Sequence, residues 1–81
     1  MSRARDVVEV IARALATRPD DVEVTEGEHR GQNVIELTMA PGELGRVIGR
    51  QGRTATAVRA LASAAGELDG PQRVMVDFRD D

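Results

Sequence analysis

Between residues 46 and 54 the chain reads Arg46-Val47-Ile48-Gly49-Arg50-Gln51-Gly52-Arg53-Thr54, two glycines enclosing a cation and an amide, with an arginine on each flank. Glycine has no Cβ, so Gly49 and Gly52 let the backbone turn sharply and let a ligand come against bare main chain. If a helix opens at Arg53, the amides of Gly52, Arg53 and Thr54 lie at its N-terminus, where orphan donors and the helix dipole favour an anion. Arg46, Arg50 and Arg53 add charge suited to phosphate, and Gln51 adds a neutral hydrogen bond. The chemistry this pattern suits is the gripping of a phosphate, with no bond made or broken. The plainer reading is an αα-hairpin with solvated arginines.

Spacing alone does not choose between the two. The chain holds two Gly-x-x-Gly quartets, Gly42-Glu43-Leu44-Gly45 and Gly49-Arg50-Gln51-Gly52, among eight glycines in 81 residues. A bare match is therefore weak. The first quartet carries an acid and follows Pro41, which suits an ordinary turn and helix start. Only the second has basic residues inside and just after it, follows an apolar pair, and opens a long helical pattern.

Those residues need elements to position them. Ser2 can cap a helix running to about Thr17, with Val8, Ile11, Ala12 and Leu15 at i, i+3, i+4 and i+7 on one apolar stripe. Pro19 stops it. Val22 and Val24 alternate with polar residues as a short strand, Gly27–Gly31 reads as a turn, and Ile35, Leu37 and Met39 mark a second strand, making a hairpin. Ala40-Pro41-Gly42 ends that strand, and Glu43–Ile48 suits a short helix. Arg53–Ala65 reads as a longer helix with Val58, Leu61, Ala62 and Ala65 on one face, Gly66–Pro71 as a loop, and Val74, Val76 and Phe78 as inward residues of a last strand. The acidic end, residues 79–81, is expected to fray. The order is α-β-β-α-α-β. A connection through two helices makes the second and last strands parallel, so the expected fold is α+β: one domain over residues 1–81, a three-stranded mixed sheet with helices packed on one face.

Composition narrows the function. A chain this short buries only about 60% of its unfolded surface, and without cysteine neither a disulfide nor a thiolate-held zinc can supplement the core. Packing alone, or a partner subunit, must stabilise it. The amino-terminal stretch is interrupted by Arg3, Arg5, Asp6, Glu9 and Arg13, unlike a signal peptide or membrane span, so a soluble, cytoplasmic protein with no membrane association is expected. The net charge is −3, yet it is unevenly spread. From Gly42 to Ser63, four arginines stand against Glu43, a local excess of +3 that leaves −6 for the rest. A local binding site on an acidic body fits this better than a nonspecific polycation. All eleven basic residues are arginine, which carries little functional weight by itself. Catalysis finds little support: His29 is the sole histidine, placed in a hairpin turn, no His or carboxylate set has metal spacing, and the glycine quartet lacks the Lys-Ser/Thr of a nucleotide-binding loop. No enzyme activity, cofactor or metal is expected.

Taken whole, Gly45-Arg46-Val47-Ile48-Gly49-Arg50-Gln51-Gly52 closely resembles the signature of KH domains, which bind single-stranded RNA and sometimes single-stranded DNA. The element order is similar to the type II, bacterial KH arrangement across essentially the whole chain. The length and the run VIGRQGRT resemble the small stand-alone KH proteins of the KhpA family. That resemblance implies a phosphate clamp at Gly49, Arg50, Gln51 and Gly52, with Arg46, Val47, Arg53 and Thr54 beside it and Ile48 helping to form an apolar groove for bases. About four nucleotides would be held. The chain departs from the wider pattern at Ala55, where many members carry a larger aliphatic residue, which implies a shallower groove. The role implied is that of an RNA chaperone or post-transcriptional regulator. The single aromatic residue agrees with it, because RNA-recognition motifs and OB folds rely on aromatic platforms this chain lacks; Phe78 itself is expected to be buried.

The rival reading is a protein-interaction or dimerisation module with weak or incidental nucleic-acid binding. From Ala57 to Ala65 only Arg59 and Ser63 are polar, and a helix apolar most of the way round is usually covered on more than one side. The KhpA resemblance implies a homodimer and a heteromer with a larger KH-containing bacterial protein. Val58, Leu61, Ala62 and Ala65 are the expected interface residues.

Overall fold

In the computed structural model, which describes residues 2–80, the Ser2 hydroxyl accepts a hydrogen bond from the Arg5 N–H (3.1 Å) and so caps α1, Arg3–Leu15. Ala16 is already extended, so the helix ends before Thr17, and a single 3₁₀ turn follows at Pro19–Asp21. Glu9 sits between Arg5 (2.9 Å) and Arg13 (3.2 Å) on the outer side. Ala4, Val8 and Ala12 form the buried side, and their small size lets a second helix pack close.

β1 (Glu23–His29) and β2 (Gln32–Met39) form the expected antiparallel hairpin. Its turn is tighter than a Gly27–Gly31 loop. Only Arg30 (φ 53°) and Gly31 (φ 78°) lie between the strands, both left-handed, as a two-residue hairpin requires when its twist must match that of the strands. Gly27–His29 are therefore strand residues. His29 is exposed, at the end of β1.

α2 (Gly45–Ile48), a 3₁₀ turn at Arg50–Gly52 and α3 (Arg53–Glu67) carry the chain across to β3 (Val74–Asp80), which lies parallel to β2 and completes the sheet in the order β1-β2-β3. Register brings Val24 beside Leu37, Ile35 beside Val76 and Leu37 beside Phe78 on one face. That face, with Met39, packs under Val8 and Ala12 of α1 and Val58 and Ala62 of α3 as a single core. Ile35, Leu37 and Met39 are almost wholly removed from water, and each contributes on the order of 1.5–3 kcal/mol. The opposite face stays open, with Arg79 bridging Glu36 (2.8 Å) and Asp77 (3.2 Å) across it.

Two further boundaries and the exposure of the expected interface residues also differ from expectation. α3 continues to Glu67, taking in Gly66, because Gly66 is buried where α3 meets β3 and α1: a Cβ there would strike the Val74 side chain and reach Ala4. Arg79 and Asp80 belong to β3, paired with Thr38 and Met39, whereas Asp81, the remainder of the end expected to fray, lies outside the described residues. Val58 and Ala62 are core residues of this fold (2% and 0% exposed), so of the four interface candidates only Leu61 and, in part, Ala65 present surface.

Candidate nucleic-acid interface

The glycine quartet is built from unusual backbone angles. Gly49 (φ 74°, ψ 176°) ends α2, and Gln51 (φ 58°, ψ 23°) and Gly52 (φ 72°, ψ 13°) are consecutive left-handed residues. Gly49 meets two demands, since a Cβ on it would also collide with the Thr54 side chain; Gly52 has open space around it and answers to φ alone. Gln51 holds a left-handed conformation rare for a residue with a side chain. The turn closes on itself. Gly49 N–H donates to Gly45 C=O (2.9 Å), Gly52 N–H to Gly49 C=O (3.2 Å), and Arg53 N–H to Arg50 C=O. Two of the amides expected to be free for an anion are thus engaged inside the turn. No side chain caps α3, so the positive end of its dipole is left to the surroundings.

The expected site residues divide by where the turn places them. Arg46, Arg50, Gln51 and Arg53 are exposed; Ile48, Gly49, Gly52 and Thr54 are half-buried. Val47 is the exception. It is 1% exposed and belongs to the core, because a helix of one turn needs one inward anchor. It positions the loop from beneath and offers no surface to a ligand.

Beside the loop lies an open groove of about 440 Å³. One wall is Ile48, Gln51, Gly52 and a stripe of α3, Ala55, Thr56 and Arg59; the other is Asp77 and Phe78 of β3. Gly52, Ala55, Thr56 and Arg59 stand at i, i+3, i+4 and i+7, one helical face. That spacing was available in the sequence, whereas the β3 wall depends on the crossover. Ala55 is nearly buried at the groove's inner side, and a methyl group there leaves room that a larger aliphatic residue would fill.

Charge is arranged around the same place. Arg3, Arg5, Arg13 and Arg79 are committed to Asp69, Glu9, Glu36 and Asp77. Arg46, Arg50, Arg53 and Arg59 have no carboxylate at ion-pairing distance among the described residues; Arg53 instead donates to Gln51 Oε1 (3.0 Å). Arg50 and Arg53 thus stand unpaired at the loop and Arg59 in the groove, while Arg46 lies near enough to Glu43 to act on its charge; Arg18, Arg30 and Arg73 also lack a carboxylate partner among the described residues. The acid nearest in sequence, Glu43, is turned inward. It is 6% exposed and accepts from the Thr17 hydroxyl and from the Thr17 (2.9 Å) and Arg18 (3.1 Å) N–H groups. The Thr17 hydroxyl foremost, with these amides and nearby Arg46, holds its carboxyl below the ordinary range despite desolvation. Its burial was not legible from a turn-forming Gly-Glu-Leu-Gly.

An α-β-β-α-α-β chain with a three-stranded mixed sheet and a Gly-x-x-Gly turn joining its last two helices is a type II KH domain. More narrowly, the chain belongs to the KhpA/KhpB KH-domain family, whose family model matches residues 5–78. It is 45% identical over 75 residues to the RNA-binding protein KhpA of Aquifex aeolicus, covering 93% of this chain and 95% of that one. It is 46% identical to the protein of the same name from Caldanaerobacter subterraneus, covering 90% and 96%. The KhpA of Mycobacterium tuberculosis is 44% identical over 75% of this chain and 76% of its own. Among solved structures, Era in complex with MgGDPNP and a segment of 16S ribosomal RNA superposes with a TM-score of 0.61 at 20% identity, over 96% of this chain and 31% of Era. At that identity the likeness is one of fold.

Proposed function

We propose that this protein binds single-stranded RNA, with Gly49–Gly52 as the phosphate clamp and the groove beside it as the seat for bases. The observation that carries this reading is the exposed pair Arg50 and Arg53 at the uncapped start of α3, with Arg59 further along the open groove, none of them ion-paired among the described residues, on a molecule whose net charge is negative. A clamp of this kind attracts phosphate by charge and helix dipole, with Arg46, Arg50 and Arg53 reaching it from the rim. The names of the KhpA relatives support RNA as the ligand; single-stranded DNA shares the phosphate chemistry. Binding and release without bond chemistry suits an RNA chaperone or post-transcriptional regulator in the cytoplasm, and no helix among the described residues is long and apolar enough to cross a membrane.

Replacing Arg50 and Gln51 together by aspartate is expected to abolish binding of a short single-stranded RNA while leaving the circular dichroism spectrum unchanged. Wild-type affinity is expected to fall with salt at a logarithmic slope of about −0.7 per phosphate neutralised. Undiminished binding by the double aspartate variant would refute the clamp.

A second reading, association with another copy or with a larger KH-containing protein, is favoured by a specific surface. Val10 and Leu61 are 68% and 53% exposed and share an apolar depression with Val7 and Ile11 where α1 meets α3. The two readings are compatible, because this surface and the glycine loop involve different residues.

A further inference from the structure

Resting on the clamp reading, we propose that Arg59 is the stacking platform for one base of the bound strand, and that Phe78 serves as its support. Arg59 ends the helical stripe Gly52, Ala55, Thr56, Arg59 that lines the groove, about 10 Å along the axis of α3 from the glycine loop at 1.5 Å per residue. Its guanidinium carbon lies 4.8 Å from the centroid of the Phe78 ring. Its Nε donates at 3.4 Å to the carbonyl of Val76. In β3 the Arg73 carbonyl accepts from β2, so by strand alternation the carbonyl of Val76 faces the free edge of the sheet. The side chain is therefore held at both its ring and its edge contact while remaining exposed. Asp77, the one acid on the groove among the described residues, pairs with Arg79, and among those residues no carboxylate lies at ion-pairing distance from Arg59.

This arrangement settles a difficulty of composition. The one aromatic ring of the chain does line the groove, but the guanidinium lies over it and the ring packs against the core. A base entering the groove meets the guanidinium. Bases stack on arginine planes as they do on aromatic rings, and the ring beneath restrains and polarises that plane. Lysine in the same place would keep the charge without the planar surface. Stacking of this kind tolerates any base, so this subsite demands that a base be present more than it selects which one.

The test uses the intact protein and a four- or five-nucleotide RNA, compared with versions carrying one abasic nucleotide at each position in turn. With wild type, one abasic position is expected to weaken binding roughly tenfold more than the others. Arg59→Lys is expected to weaken binding of the intact RNA roughly tenfold, with an unchanged salt slope, and to erase the extra penalty at that position. Equal affinity of Arg59→Lys and wild type, or equal penalties at every abasic position, would overturn the stacking role. Either result alongside loss of binding in the Arg50→Asp/Gln51→Asp variant removes this inference alone. Failure of wild type to bind, or retained binding by that double variant, removes the clamp reading and this one with it.

Discussion

Glu43 shows how one side chain serves the site from outside it. Its carboxylate gathers the hydroxyl and amide of Thr17 and the amide of Arg18, tying the exit of α1 to the turn that launches α2. Those donors favour the charged form, foremost the Thr17 hydroxyl, and hold its pKa below the ordinary 4.5. A carboxyl whose pKa is lowered on folding contributes stability that is fully present above its unfolded value and lost as pH falls through its folded value. Wild type is thus expected to be more heat-stable than Glu43→Gln at pH 7, with the gap narrowing as pH falls below 4.5. Thermal melts of both proteins from pH 7 to pH 3 check this; a gap independent of pH would show that the carboxylate charge contributes nothing. Gly49 is the other residue on which the loop turns, because its left-handed φ and its approach to Thr54 both exclude a side chain. The glycine was plain in the sequence, whereas the neighbour it must avoid was not.

The elements work as a frame in which α3 has two tasks. Its N-terminal half lines the groove through Ala55, Thr56 and Arg59, while Val58, Ala62 and Gly66 hold it against the sheet and α1. Gly66 is the tightest of these contacts. In an exposed helix interior, replacing glycine by alanine would gain about 1 kcal/mol, but here the new methyl strikes Val74, a β-branched side chain with little freedom to move. Overpacking of this kind costs about 1–3 kcal/mol. Gly66→Ala is therefore expected to be destabilised by about 0–2 kcal/mol, where an exposed site would gain about 1 kcal/mol. Urea unfolding measures it, and a variant more stable than wild type would mean that β3 yields at Val74. Helical periodicity identified α3 as an element. It could not show that Gly66 belongs to it, since a glycine followed by a loop sequence ordinarily marks a helix end.

At the scale of the molecule, charge and apolar surface are segregated. The acids take up the arginines of α1 and of the open sheet face, the stretch from Gly42 to Ser63 carries a basic excess, and Val10 and Leu61 form an apolar site at the outer seam of α1 and α3. Water-exposed leucine and valine at adjoining positions suit burial against a second subunit. Sedimentation of wild type is expected to show a dimer at micromolar concentrations, and Leu61→Glu a monomer of unchanged helix content. A wild type that stays monomeric at the highest attainable concentration would remove the dimer. Val58 and Ala62 are poor probes of the same question, since a charge at either would disrupt the core before reaching any interface.

The sequence by itself determined the element order, the parallel crossover, the glycine turn and the basic excess around it. Each is encoded locally, in the period of apolar residues, the punctuation by Pro and Gly, and the count of charges along a short stretch. Only the tertiary structure decided which members of that stretch are exposed. Val47 turned inward because a one-turn helix needs an anchor, Glu43 was consumed by backbone donors 25 and 26 residues away, and Arg59 came to rest on Phe78 through a pairing between α3 and the edge strand. Those contacts join residues far apart in the chain. The first two need α1 and the sheet brought against α2, and the last needs the two helices to have carried β3 back alongside β2.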